Sequence, residues 1–162
     1  MIERNEGKNM KKFCLLIVSL LVFTGCSSSA DEAKKVTCEL DSGASQINEK
    51  VKITYDGDKK ITKIVKTKDA ALMDFYFEDY ESIEELEKAF EADYVNEKKE
   101  QPGMEFDISV DEEEKMLHVK VTIDPDKAEE IDMERLGIED YNDLEKLVKN
   151  LQGDDYTCGE IE

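Results

Sequence analysis

The sequence predicts a single α+β domain: an antiparallel sheet of two hairpins plus short terminal strands, with two helices packed on one face. Two stretches alternate apolar and polar residues as β-hairpins do, and each is followed by a stretch with the 3.6-residue period of an amphipathic helix. A length of 162 residues suits one domain. Because such a sheet buries one face, we expect both helices on that face.

The first 25 residues have the features of a cleaved bacterial signal peptide. Lys11 and Lys12 precede an apolar run over residues 13–23. As a helix this run rises about 16 Å, roughly half the thickness of the hydrocarbon core, so a permanent membrane span is not expected. Met10, directly before the two lysines, is an alternative start of the same leader.

A lipid anchor is predicted at Cys26. The sequence Phe23-Thr24-Gly25-Cys26 resembles the lipobox of bacterial lipoproteins. The resemblance implies that the thiol of Cys26 receives a diacylglycerol, that residues 1–25 are removed, and that the acyl chains hold the protein at the membrane. The alternative is an ordinary secretory signal cleaved after Ala30, which would release the protein.

Residues 26–35 are predicted to form the lipid-bearing, flexible tether, and residues 36–162 the folded domain. The stretch from Ser27 to Lys35 is polar and has no apolar periodicity. A tether of about ten residues has a root-mean-square reach of roughly 17 Å, which would keep the domain just above the lipid headgroups.

The cysteines divide between the leader, the anchor and the folded domain. Cys14 lies in the predicted leader and Cys26 in the lipobox, whereas Cys38 and Cys158 lie near opposite ends of the folded region. Two thiols outside the cytosol are expected to pair, so we predict a structural disulfide that joins the first and last elements. A redox-active or metal-binding pair, the alternative, usually has the CxxC spacing, which this pair lacks.

The first predicted hairpin is followed by a capped helix. Val51, Ile53 and Tyr55 share one face, residues 56–59 form a turn, and the second strand changes phase once, which predicts a β-bulge. A capping-box pattern, Ser82 with Glu85, starts the helix, and Pro102-Gly103 closes the segment. The apolar stripe of this helix is Ile83, Leu86, Phe90 and Tyr94.

The second half repeats this order. Apolar alternation resumes in residues 106–110 and 117–123, Pro125 ends the hairpin, and a helix is predicted around residues 141–151. Its inward side chains are expected to be Leu144, Leu147, Val148 and Leu151. The repeated order is consistent with an internal duplication of one hairpin–helix unit. The alternative is that any two amphipathic hairpin–helix units look alike at this level.

The chain resembles the YehR-like (DUF1307) family of small bacterial lipoproteins. The resemblance rests on the lipobox, on the hairpin over residues 52–59, and on the strand–helix–strand order up to about Asp132. It implies an α+β lipoprotein of uncharacterised function, with no active site to carry over. The family occurs in Gram-positive bacteria and enterobacteria. We therefore expect the protein to be located on the outer face of the cell membrane, in a Gram-positive bacterium.

The charge and the single histidine limit the functions to consider. A formal net charge of −19 disfavours nucleic acid as a partner, because its phosphates would be repelled. His118 falls on the opposite side of its strand from Leu117 and Val119, so it is predicted to face solvent. No spacing singles out a nucleophile with its base, and no phosphate-binding glycine loop occurs.

Acidic and aromatic clusters have two interpretations each. Four acidic clusters are interpreted as solvated turns, with calcium binding as the alternative. They are residues 56–58, 111–114, 124–126 and 154–155. The aromatic run over residues 75–80 is interpreted as a buried strand edge or the start of a helix, with a binding surface as the alternative.

The sequence therefore predicts a non-enzymatic interaction module, anchored to the membrane through Cys26, that binds an envelope protein or another envelope component. The alternative is a small cation- or solute-binding lipoprotein that serves transport. No catalytic residue, cofactor or metal ligand is assigned.

Overall fold

The computed structural model describes residues 33–43, 46–95 and 101–162, which belong to one unit spanning residues 31–162. The predicted leader, Cys26 and most of the predicted tether lie outside the described residues. In chain order, the elements are β1 (Lys34–Asp41), β2 (Ile47–Tyr55), β3 (Ile61–Ala71), α1 (Asp74–Glu78), α2 (Ile83–Tyr94), β4 (Met104–Asp111), β5 (Met116–Ile123), α3 (Glu130–Arg135), α4 (Leu144–Gly153) and β6 (Thr157–Cys158).

The six strands form one antiparallel sheet in the order β4-β5-β3-β2-β1-β6. The predicted hairpins are β2–β3 and β4–β5, and the pairing of β3 with β5 joins them. The predicted α+β class is confirmed. Strand β1 begins at Lys34, so Lys34 and Lys35, which we expected in the tether, already pair with Tyr55 and Thr54 of β2.

One face of the sheet carries the core. Alternate residues of the long strands are buried there or, in most of β4, half-buried, together with side chains of α2, α3 and α4. The strand residues of this core include Val36, Cys38, Val51, Ile53, Tyr55, Ile64, Val119, Val121 and Ile123. Lys50 and Lys52 lie on the other face and are exposed, as the alternation predicts.

The first hairpin contains the predicted bulge. Thr54 pairs with Lys63 and Tyr55 with Ile61, so Thr62 is the extra residue that shifts the register. Asp56 orders the turn, because its side chain accepts the backbone N–H of Asp58 at 3.1 Å and that of Lys60 at 2.9 Å.

Both predicted helices are present. The Ser82 hydroxyl accepts the backbone N–H of Glu85 at 3.3 Å, as the cap predicts, and Leu86 is buried. The last helix begins at Leu144, three residues later than predicted, because the Asp143 side chain caps it by accepting the Lys146 N–H at 3.1 Å. Its four expected inward residues are all buried.

The expectation of two helices was incomplete, because α1 and α3 are additional helices. They span five and six residues, less than two helical turns, which is too short to display a 3.6-residue period in the sequence. Met133 of α3 is fully buried. No helix within the described ranges is long and apolar enough to cross a membrane.

The predicted disulfide between Cys38 and Cys158 is present. The two residues face each other across β1 and β6, with their Cα atoms 3.9 Å apart. Strand β6 has only two residues, and the Gly159 N–H adds one backbone bond to the Thr37 carbonyl at 2.9 Å. The disulfide is therefore the covalent link between the C-terminal segment and the sheet, beside hydrogen bonds such as that from the Glu162 N–H to the Tyr55 hydroxyl at 3.0 Å.

Replacing both Cys38 and Cys158 by alanine is expected to lower the free energy of unfolding by up to about 5 kcal/mol. The bridge spans 120 positions, and on the chain-entropy model a crosslink of this span restricts the unfolded chain by about that amount. Urea unfolding with and without reductant measures the effect. The double variant serves as the control, since reductant should leave it unchanged; equal stabilities of reduced and oxidised wild type would contradict the prediction.

Candidate binding cleft

The structure does not bring the candidate residues of the sequence together. His118 lies on the open face of the sheet, as predicted, with Nδ1 2.7 Å from Oδ1 of Asp69. The acidic clusters form turns: Asp111 accepts the Glu114 N–H at 2.8 Å and Asp124 the Asp126 N–H at 3.2 Å. Within the described ranges, no group of three or more His, Cys, Asp or Glu side chains is arranged to hold a metal ion.

The aromatic run forms α1 and leads into α2. Tyr76 and Phe77 pack against the core, and the ring of Tyr76 lies 5.5 Å from that of Phe90. Phe75 and Tyr80 are exposed. The interpretation as the start of a helix is therefore confirmed, whereas burial holds only for part of the run.

A cleft on the helix-covered face is the best candidate for a functional site. It has a volume of about 310 Å³ and lies between the C-terminal ends of α2 and α3, over β2, β3 and β5. Two larger depressions, of about 420 and 640 Å³, lie elsewhere on the surface. Most of their charged residues are exposed, for example Lys63 and Glu134, whereas the cleft contains two ionisable side chains, Glu49 and Lys66, that are largely removed from water.

The charged residues of the cleft come from the middle of the sheet. Lys66 pairs with Val51 and Val121 in the register, and directly paired residues share a face, so Lys66 points to the helix side. Glu49 and Lys68 are paired with each other and lie on the same face. Apolar residues usually occupy such positions.

Glu49 is the centre of the polar network. Its Oε2 accepts the hydroxyl of Tyr156 at 2.6 Å and lies 3.0 Å from Nζ of Lys66, while its Oε1 lies 3.7 Å from Nζ of Lys68. The side chains of Glu49 and Lys66 are only 15% and 18% exposed. Pairing of this kind is what makes ionised groups tolerable away from water.

The network shifts the acidities of both hydrogen-bonded partners. Burial alone would raise the pKa of Glu49, but the hydrogen bond from Tyr156 and the attraction of Lys66 outweigh it and hold that pKa below 4.5. Burial and the hydrogen bond to Glu49 both raise the pKa of Tyr156 above its ordinary value. The carboxylate is therefore ionised and the phenol neutral at physiological pH.

Lys66 also joins the sheet to the end of α3. Its Nζ donates to the backbone carbonyl of Leu136 at 2.9 Å, directly after the last residue of the helix. A lysine is favourable at this position because the last carbonyls of a helix have no partner within the helix. The contact fixes one wall of the cleft relative to its floor.

The mouth and the floor of the cleft differ in character. Lys68 and Arg135 are the more exposed cations, with 31% and 46% of their side chains accessible. Val119 and Val121 are buried residues of the floor, and Tyr94 contributes an aromatic wall. The arrangement can hold a small molecule that has a charged end and an apolar end.

Sequence reasoning missed Glu49, Lys66 and Lys68, although one signal was present. Counting back by two along β2 from the buried Val51 places Glu49 on the apolar face. An acidic residue at such a position indicates a polar group on the core side. The lysines of β3 could be placed only after the bulge at Thr62 was known.

The hydrogen bond between Tyr156 and Glu49 is expected to stabilise the fold only between a lower and an upper pH limit. Tyr156→Phe is expected to lower the free energy of unfolding by about 1–3 kcal/mol near neutral pH, because a buried acceptor loses its donor. The pKa of Glu49 is lowered, so its contribution is lost as the pH falls below 4.5; the pKa of Tyr156 is raised, so its contribution is lost as the pH rises above 10.0.

Urea unfolding of wild type and Tyr156→Phe across this pH range measures the difference, which should be largest between the two limits. Tyr80→Phe, at an exposed tyrosine, is the matched control and should change stability little at any pH. A Tyr156→Phe difference that is independent of pH would show that the hydroxyl does not bond to an ionised Glu49.

Comparison with known proteins shows a shared fold. No protein-family model matches the sequence, and no curated protein matches it either. An NMR structure of a protein from Streptococcus pneumoniae TIGR4 is similar, with a TM-score of 0.57 and 15% sequence identity over 97% of this chain and 99% of that chain. At this identity the similarity shows the fold alone.

Proposed function

We propose that the protein is a lipid-anchored, extracytoplasmic binding module that takes a small ligand into the cleft without transforming it. The observation that carries the proposal is the cleft itself, where a sheet otherwise built for apolar packing contributes Glu49, Lys66 and Lys68. Well-packed apolar residues are often as stabilising as a buried ion pair. Stability alone therefore does not account for these charges, and we infer that they shape a ligand site.

The residues that line the cleft support binding without catalysis. Among the described residues, the lining contains no serine, threonine, cysteine or histidine. His118 lies on the opposite face of the sheet, where it cannot act as a base for anything bound in the cleft. Glu49 and the two lysines could in principle serve as a base or a nucleophile. Glu49, however, is already engaged by Tyr156 and Lys66, and Lys66 also donates to the Leu136 carbonyl, which favours a binding role for these groups.

The N-terminal sequence and the disulfide support the proposed location outside the cytosol. The lipobox pattern that ends at Cys26 and the resemblance to YehR-like lipoproteins imply an anchored protein. A disulfide between Cys38 and Cys158 suits an oxidising compartment outside the cytosol. Together they support a binding cleft on the outer side of the membrane.

A solute fits the cleft better than a metal cation. Three basic side chains line it, and the two carboxylate oxygens of Glu49 already face Tyr156 and the two lysines. Calcium requires six to eight oxygen ligands. Of the two transport ligands considered from the sequence, cation or solute, the geometry favours the solute.

The lipid anchor is tested by identifying the N-terminal residue of the protein purified from the membrane of its host. Mass spectrometry of the wild type is expected to find Cys26 as the first residue, carrying the acyl mass. Cys26→Ala should lack both the acyl mass and cleavage at that position, because the lipid acceptor is absent. Cys14→Ala, within the predicted leader, is the matched control and should be processed normally. A wild-type chain that begins at any other residue would refute the anchor.

Ligand binding is tested on residues 27–162, which contain every described element and the disulfide. A mixture of small metabolites should shift the backbone amide resonances of cleft residues such as Val119, Leu136 and Gly137. Lys52 and Thr54, on the open face, are internal controls and should not shift. Screening that finds no compound in the cleft would overturn the proposed function.

A further inference from the structure

We propose that the ligand of the cleft is a small organic acid, whose carboxylate binds Lys68 and Arg135 and whose apolar part lies over the floor. This inference rests on the proposed function and names the chemical class of its ligand. It follows from which charges of the cleft are satisfied within the protein and which face the opening.

The two lysines beside Glu49 disfavour a cationic ligand there. The Oε2 of Glu49 is engaged by Tyr156 at 2.6 Å and by Lys66 at 3.0 Å, and its Oε1 faces Lys68 at 3.7 Å. Lys66 has a second contact with the Leu136 carbonyl at 2.9 Å. The pair of Glu49 and Lys66 is therefore compensated inside the protein, which makes a cation in the cleft unfavourable.

Lys68 and Arg135 hold the looser contacts. Lys68 lies 3.7 Å from Glu49, and Nη1 of Arg135 lies 4.0 Å from Oδ1 of Asp132. Both distances exceed the roughly 3.2 Å limit of a direct N–H···O hydrogen bond. Their N–H groups can therefore turn to a ligand, and the guanidinium fork matches the two oxygens of a carboxylate.

The remaining lining argues for an organic anion instead of an inorganic one. Val119 and Val121 close the floor, and the half-buried Tyr94 and Leu136 present an aromatic and an aliphatic surface beside the cations. An inorganic ion would leave this apolar surface in contact with water, whereas a hydrocarbon body would bury it. The volume of about 310 Å³ lies at the small end of known ligand sites, so the acid is small.

Three probes separate charge from apolar body on residues 27–162. 3-Phenylpropanoate has both, 3-phenylpropanamide has the body without the charge, and acetate has the charge without the body. NMR titration is expected to show saturable shifts of cleft amides with 3-phenylpropanoate and at least tenfold weaker binding of the other two. Equal binding of the amide or of acetate would overturn the proposed ligand class.

Substitutions test the assigned side chains. Lys68→Gln and Arg135→Gln should each weaken 3-phenylpropanoate binding about tenfold or more, the loss expected for one charge-assisted hydrogen bond. Lys120→Gln is the matched control, because Lys120 lies on the open face of β5 and is about half exposed. Its affinity should equal that of the wild type.

Glu49→Gln is expected to change the binding affinity in the opposite direction. Removing the negative charge of the cleft should tighten 3-phenylpropanoate binding severalfold, and a damaged fold could not produce this gain. Thermal unfolding of each variant confirms that it folds. Weaker binding by a folded Glu49→Gln would overturn the assignment of Glu49 as an internal counterion.

The two proposals fail in different ways. If neutral or cationic compounds occupy the cleft and carboxylates do not, the binding function stands and the organic-acid assignment is wrong. If neither the three probes nor the metabolite mixture shifts any cleft amide, both are wrong.

Discussion

The antiparallel pairing of β3 with β5 is the interaction on which the rest of the structure depends. Residues 64–71 pair with residues 116–123, which joins two hairpins into one sheet and puts their apolar faces on the same side. A two-stranded hairpin is marginal in water, whereas the joined sheet has a face broad enough to bury against helices. The same register sets Lys66 beside Val121 and Lys68 beside Val119.

The helices leave the centre of this face only partly covered. Helix α2 packs on β4 at one side, and α4 packs on β1 and β6 at the other. The C-terminal end of α3 reaches the middle through the Leu136 carbonyl. Because the central strands lie below this gap, β3 tolerates Lys66 between two valines and Lys68 between Glu49 and Val119. Polarity and concavity therefore coincide at one place.

The parts of the fold that the sequence predicts are those with a period long enough to recognise. The hairpins, the capped helix at Ser82, the last helix and the disulfide follow from alternation, caps and cysteine placement. Helices α1 and α3 are too short for a period. The cleft depends on the β3–β5 register, a tertiary feature that local patterns do not encode. It also depends on the bulge at Thr62, whose presence the phase change predicts but whose strand pairing it does not.

The position of the disulfide has a mechanical consequence. The chain enters the sheet at Lys34, so tension applied ahead of that residue loads β1 along its axis. Peeling would have to break the pairs from Lys34 to Thr37 and would then stop at Cys38, where a covalent bond transfers the load to Cys158 and the segment behind α4. A pull on the N-terminal end is thus borne in part by a bond that thermal motion does not break, in addition to the hydrogen bonds between β1 and β2.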